Sequence, residues 1–258
     1  MTELVPLFIP TKGRAAHAKT PTLFPQESFT LVIEPQEEIA YRQAFPDASF
    51  LILQKSDQGI GFVRQAILDH ARSRRLSWYW MLDDDINDFF VVQNKRCVPT
   101  EGIRALTEAQ TFILKDSSIG QAALEYQQFA WNSTKPYRLN SYCDVCVAIN
   151  TQKVAMINYR PVLNMKEDRD FTLQVLASGY NTLRICAYAF STPKNGSNRG
   201  GLFPFYNDGK QEERVSRKMA ELWPGICTFQ RKQDGRPDVR INWSFFRSHS
   251  SFNPRNYP

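Results

Sequence analysis

The apolar residues fall in short runs closed by turn signals, with one longer stretch of four-residue period among them. Residues 4–10 form an apolar run that ends in Pro10-Thr11-Lys12-Gly13-Arg14. Residues 29–33 form a second, closed by Glu34-Pro35, and residues 50–53 a third, followed by Gly59-Ile60-Gly61. From Phe62 to about Arg75, Val63, Ile67 and Ala71 recur every four positions, which predicts one face of a helix. Trp78–Leu82 is apolar at every position, as a central parallel strand covered on both faces must be. Strand, loop, strand, helix, strand is the order of an α/β sheet, whose ligands gather at the carboxyl ends of its strands.

The second half is less regular. Residues 99–114 read as partly helical, 120–131 as a strand or an irregular segment, and 142–149 as a strand. Residues 167–178 read as a helix that opens on acids and stops at Gly179. Residues 181–190 form another strand, 193–201 a loop rich in glycine and asparagine, and the remainder is basic and aromatic. With no repeat and no linker, the expectation is a single domain with a C-terminal extension.

Composition narrows the class. A chain of 258 residues with 42% hydrophobic and 13% aromatic content can bury a substantial core. No apolar run approaches the roughly 20 residues of a membrane span. An acid at Glu3 and prolines at 6 and 10 do not suit a signal peptide, so the expectation is a soluble intracellular protein. Cys143 and Cys146 form a C-x-x-C without a second pair, and a structural zinc site wants four ligands; reduced core cysteines are the expectation. The net charge of +6 suits an acidic partner such as a nucleotide or nucleic acid, and equally ordinary solubility.

The sharpest chemical feature is Asp83-Asp84-Asp85, directly after the buried run. Adjacent carboxylates repel one another and resist burial unless a cation compensates, and hard Mn²⁺ or Mg²⁺ suits oxygen ligands. The plainer reading is a solvated acidic turn. In the turn after the first run, Gly13 permits close backbone approach, and Lys12 and Arg14 can reach phosphate oxygens. Gly59 and Gly61 lead into a helix carrying Arg64 but lack the third glycine of a dinucleotide fingerprint. Glu167-Asp168 at a helix start either complements the helix dipole or supplies a general base. Lys194 opens a basic loop that can lie over a diphosphate. Arg231, Arg236 and Arg240, interleaved with Trp243 and other aromatics, suit phosphates and exposed bases, or form the rim of a core.

Taken in order, residues 8–14, Glu34, residues 59–64, the triple Asp and Glu167-Asp168 resemble a GT-A glycosyltransferase. The runs 54–61, 80–86 and 234–243 are similar, more narrowly, to the TET-associated glycosyltransferases of bacteriophages. The resemblance implies a GT-A-type, Rossmann-like mixed sheet flanked by helices. It divides the chain into a nucleotide-sugar-binding half (1–95), an acceptor and catalytic half (96–201) and the extension (202–258). It implies transfer of a sugar from a UDP-sugar, with inversion, to 5-hydroxymethylcytosine in DNA, in the cytoplasm of a phage-infected host. A TET-like dioxygenase would have made the hydroxymethyl group. Asp85 and Asp83 would hold Mn²⁺ or Mg²⁺. Pro10, Thr11, Lys12, Arg14, Glu34, Gly61, Arg64, Asp83, Asp84 and Lys194 would line the donor site. Asp168, with Glu167 as fallback, would be the base; Arg231, Arg236, Arg240 and Trp243 would hold DNA. A late histidine ligand common in GT-A enzymes is missing from residues 193–201, and His249 lies far downstream. The alternatives are a GT-A enzyme with another acceptor, a metal-dependent nucleotidyltransferase, and a non-enzymatic nucleic-acid-binding module.

Overall fold

The computed structural model describes residues 3–193 and 209–249. Its centre is a ten-stranded mixed sheet. Strands β1 (Leu7–Pro10), β2 (Thr30–Ile33), β3 (Ser49–Ile52) and β4 (Trp78–Leu82) pair in parallel, in the spatial order β3-β2-β1-β4. A β5–β6 hairpin (Asp88–Gln93, Arg96–Thr100) forms the far edge. Between lie β7 (Ile119–Tyr126), β9 (Cys146–Asn150) and β10 (Asn181–Ser191), in the order β9-β7-β10, with the short β8 (Tyr137–Leu139) also on β10. β9 runs antiparallel to both β4 and β7, and Leu82 pairs with Cys146. The carboxyl end of β4 therefore meets the amino end of β9.

Alternation along the strands divides the core in two. Leu7, Ile9, Trp78, Trp80 and Leu82 face one side, where they meet Ala105, Leu106 and Ala109 of α3 (Gly102–Ile113). Phe8, Tyr79 and Met81 face the other, against Ile67, Leu68 and Ala71 of α2 (Ile60–Ser73) and Phe171 and Val175 of α5 (Glu167–Ala177). The opposite side of α5, Leu173 and Leu176, packs on a C-terminal unit made of α6 (Gly209–Leu222) and an antiparallel hairpin, β11 (Cys227–Arg231) with β12 (Pro237–Ile241). α5 is thus buried on most of its circumference because it is covered twice.

The structure departs from the sequence expectations at definite places. The helix α1 (Glu38–Ala44) lies between β2 and β3. The β5–β6 hairpin turns on Asn94 and Lys95, both at positive φ, a tight turn hidden by the run Phe89-Phe90-Val91-Val92 that shows no alternation. The segment expected to be helical from 99 is strand to Thr100, and helix only from Gly102. The 120–131 segment is β7 followed by one turn of helix, α4 (Gln127–Ala130). The strand expected from 142 begins at Cys146, because Val145 sits at φ 60 and breaks the extended chain. The buried face of α2 includes Arg64 in place of the expected Val63, which is half-buried. All five cysteines are free and four are buried, so the C-x-x-C belongs to the core. No described helix is long and apolar enough to cross a membrane.

Candidate active site

The loops after β1 and β4 lock together through Asp84. The Thr11 hydroxyl donates to Asp84 Oδ2 at 2.5 Å and lies 2.7 Å from the Tyr41 hydroxyl of α1. Arg14 ion-pairs with Asp84, and its backbone N–H donates to the same Tyr41 hydroxyl at 3.1 Å. Asp84 is therefore turned inward, its side chain 8% exposed, while Asp83 and Asp85 on either side are each 30% exposed. Of the three aspartates expected to meet ligand, the middle one is the most buried and is held by Thr11 and Arg14. Arg14 also lies 3.6 Å from Asp85.

Arg64 joins this cluster to α5. Its Nη2 is 2.9 Å from Asp83 Oδ1, and its Nε is 2.9 Å from Glu167 Oε1. Gly61 makes the approach possible: a Cβ there would lie 2.9 Å from the Leu163 carbonyl oxygen. Glu34 is buried and accepts from Lys12 Nζ and the Asp57 backbone N–H, each at 2.9 Å, and from Gln36 at 2.6 Å. Lys12 also pairs with Asp57. Gly13, at φ 68, directs its N–H to Glu37 at 2.6 Å. Pro10 ends β1. The first loop is thus a braced rim beside Asp83 and Asp85.

Among the described residues, the guanidinium groups of Arg14 and Arg64 lie among four carboxylates, Asp83, Asp84, Asp85 and Glu167. Burial pushes the Asp83 carboxyl up to about 7; Arg64 opposes this, and Asp85, Glu167 and Asp84 reinforce it. Burial likewise raises Asp84 against the pull of Arg14 and Thr11, and raises Glu167 against that of Arg64. Carboxylates raised by burial and by one another's charge are stabilised by a nearby cation. Among the described residues no group of three or more His, Cys, Asp and Glu forms a self-contained metal cage. Mg²⁺ and its relatives commonly take one or two carboxylates and complete their shell with phosphates and water. Asp83 and Asp85 fit that pattern.

On the other side of Arg64 stands the first turn of α5. Glu167 is buried against Arg64, whereas Asp168 is half-buried and accepts from the Arg169 N–H at 2.7 Å. The two neighbouring acids thus differ in setting, with Glu167 paired to Arg64. Arg64, Asp144, Tyr159 and Arg169 all feel the Asp168 charge. Asp144 was not expected. It takes Arg184 Nη2 and the Tyr126 hydroxyl, each at 2.9 Å, and is followed by Val145, whose carbonyl accepts the Asp83 N–H at 2.8 Å. A β-branched residue at φ 60 is strained, and such strain concentrates at functional sites. Arg184 is fully buried, donates to the Leu124 carbonyl at 2.6 Å and lies 4.3 Å over the Tyr142 ring. One signal was present in the sequence: an arginine between Leu183 and Ile185 in an apolar strand requires a buried partner.

In the C-terminal unit, Arg231 is tied to Glu213 at 2.5 Å, Arg236 is half-buried and Arg240 is exposed on β12. Trp243 packs against the apolar cluster between α5 and the C-terminal unit, with its ring 6.0 Å from that of Tyr142. Lys194 and the 194–201 part of the expected loop lie outside the described residues.

A mixed sheet flanked by helices, with acids at the carboxyl end of β4, is the GT-A glycosyltransferase architecture. The chain matches the family "TET-Associated Glycosyltransferase" over residues 5–201 and belongs to it, so it is a glycosyltransferase. No curated protein matches it by sequence. Among solved structures, glucosyl-3-phosphoglycerate synthase from Mycobacterium tuberculosis in complex with Mg²⁺ and UDP is similar at a TM-score of 0.51 and 9% identity, over 93% of this chain and 87% of that one. The same enzyme with Mn²⁺, UDP-glucose and phosphoglyceric acid gives a TM-score of 0.51 at 8% identity, over 92% and 86%. A mycobacterial protein gives a TM-score of 0.51 at 9% identity, over 92% and 83%. These likenesses concern the fold.

Proposed function

We propose that this glycosyltransferase moves a sugar from a UDP-sugar to the hydroxymethyl group of 5-hydroxymethylcytosine in DNA, in the cytoplasm of a phage-infected bacterium. The observation that carries the donor half is the pair of partly exposed carboxylates Asp83 and Asp85 at the end of β4, beside the Lys12–Arg14 rim. The Mg²⁺–UDP and Mn²⁺–UDP-glucose complexes of the similar synthase agree with that reading. Asp83 and Asp85 would hold Mn²⁺ or Mg²⁺, which would supply positive charge at the departing diphosphate. Residues 1–95 then form the donor half, residues 96–201 the acceptor half, and residues 202–258 an extension.

Asp168 takes the proton of the acceptor hydroxyl as that oxygen bonds to the anomeric carbon and the bond to the diphosphate breaks. One such displacement inverts the centre. The base must leave the DNA stack to reach this cleft, and Arg231, Arg236, Arg240 and Trp243 supply contacts to the strand. The test is mass spectrometry of nucleosides from hydroxymethylated DNA incubated with Mn²⁺ and a panel of UDP-sugars. A sugar-mass addition to hydroxymethylcytosine is expected. Unmodified DNA with every donor, while UDP still binds only with Mn²⁺, would move the assignment to another acceptor.

A further inference from the structure

The first turn of α5 is held from outside the region that defines the family. Lys166, at φ 61, has a side chain only 9% exposed, and its Nζ lies 2.9 Å from Asp238 Oδ1 and 3.3 Å from Glu212 Oε1. Arg169 reaches the same Asp238 oxygen at 3.0 Å, and Lys232 its other oxygen at 3.1 Å. Asp170 accepts from the Trp223 indole at 2.7 Å and pairs with Arg160 at 3.3 Å, while Arg160 lies 5.3 Å over the Trp223 ring. Glu167 is held by Arg64 from the donor side. Glu212, Trp223 and Asp238 all lie beyond residue 201, where the family match ends.

The physical consequence is directional. A lysine buried in a left-handed backbone conformation is unfavourable on two counts, and its anions offset both. Asp238 also ties residues 166 and 169 to one point, which fixes the turn between them. Asp168 is in that turn. The Glu167–Arg64–Asp83 bridge then sets the same turn relative to the donor carboxylates.

We infer that Asp238 of the C-terminal hairpin is a positioning residue for glycosyl transfer: it acts through Lys166 and Arg169 to hold Asp168 at the acceptor. This rests on the reading of Asp168 as the base. The C-terminal unit is on this account part of the active-site scaffold, whatever its contacts with DNA.

The test uses the full chain, steady-state kinetics on hydroxymethylated DNA, and Mn²⁺-dependent UDP affinity by calorimetry. Asp238→Asn is expected to lower kcat at least tenfold, with donor KM and UDP affinity within twofold of wild type, and Asp238→Glu to restore most of kcat. An unchanged kcat, a parallel loss of kcat and UDP affinity, or a glutamate no better than asparagine would overturn the inference. If Asp238→Asn does not fold, Glu212→Gln carries the same test, and an unchanged kcat there overturns it equally. Asp168→Asn, measured alongside, separates the two ideas: full activity in that variant refutes the base assignment, whereas its inactivity beside an unaffected Asp238→Asn refutes only the positioning role. Should wild-type enzyme leave DNA unmodified, hydrogen exchange decides. Faster exchange at residues 166–172 in Asp238→Asn supports the positioning role, and unchanged protection ends it.

Discussion

Two acidic centres lie on either side of the first turn of α5, and they are built on opposite electrostatic terms. After β4, Asp83, Asp84, Asp85 and the incoming Glu167 share two arginines, and burial lifts Asp83 to about 7. Behind α5, Lys166, Arg169 and Lys232 converge on Asp238; burial alone would raise that carboxyl, but Arg169 and Lys166 outweigh it and hold it well below the usual carboxylate range. In the first centre, partly exposed carboxylates raised by their surroundings suit the uptake of a cation with its ligand. The second is neutralised from within and suited to hold its neighbours still. Two aspartates with opposite shifts, Asp83 partly exposed and Asp238 buried, thus suit different roles, although the residue type is the same.

The strongest way to break this contrast is Asp85→Asn. The amide keeps the shape and removes charge that a hard cation needs. Metal-dependent turnover should disappear while the melting temperature stays near that of wild type, as followed by activity across a Mn²⁺ titration and by thermal melts. Wild-type turnover in limiting Mn²⁺ would show that the cation is held elsewhere.

Asp168→Asn comes next, with an expected fall in kcat of roughly 10²–10⁴-fold, the usual range for general-base catalysis. The product from an α-linked UDP-sugar should be β-linked. Proton NMR of the anomeric centre reads this directly, and an α-linked product would rule out Asp168 acting in a single displacement.

Arg64→Met sharpens the comparison through stability. Removing the cation between Asp83 and Glu167 leaves a buried glutamate without its partner, a loss of about 3 kcal/mol by analogy with other broken buried pairs. The sign with pH follows from linkage. Carboxyls whose folded pKa is raised favour the folded state below their unfolded pKa, and that advantage is lost as pH rises through the folded value. Without Arg64 both carboxyls rise further, so the deficit should be larger at pH 8 than at pH 5 in urea melts. An equal deficit at both values would mean that Arg64 contributes packing rather than charge.

The smallest expected effects lie on the hairpin surface. Arg240→Ala and Arg236→Ala should each weaken DNA binding and reduce the slope of log affinity against log salt by about 1, with UDP-sugar affinity unchanged. Binding measured across a salt series checks this. Equal loss of donor affinity would place these arginines in the scaffold with Asp238.

The donor side was legible in the sequence because its signals are local. A strand buried on both faces followed at once by three acids, and a Pro-Thr-Lys-Gly-Arg turn after another strand, each announce a strand end. The α2 period and the Gly179 stop at the end of α5 are equally short-range. What escaped was what depends on distant partners. Nothing beside Asp144 in the chain indicates Arg184 or Tyr126, which reach it across the sheet. Nothing beside Lys166 indicates Asp238.

By itself the sequence determined the alternation of strands and helices, the covered centre of the sheet, and the carboxylates at the end of β4, since periodicity and residue chemistry are properties of neighbouring positions. The tertiary structure decided which of those carboxylates face the cleft. Asp84 turns in because Thr11 and Arg14 meet it there, which leaves Asp83 and Asp85 outward. It also decided that Glu167 is bound to Arg64 while Asp168 stays half-buried beside it, and that the C-terminal hairpin binds Lys166 and Arg169 on either side of them. A charge becomes a ligand, a base or a strut according to what lies within about 3 Å of it through space, the range of a hydrogen bond, and folding alone brings residues 11, 64, 84, 167 and 238 into those positions.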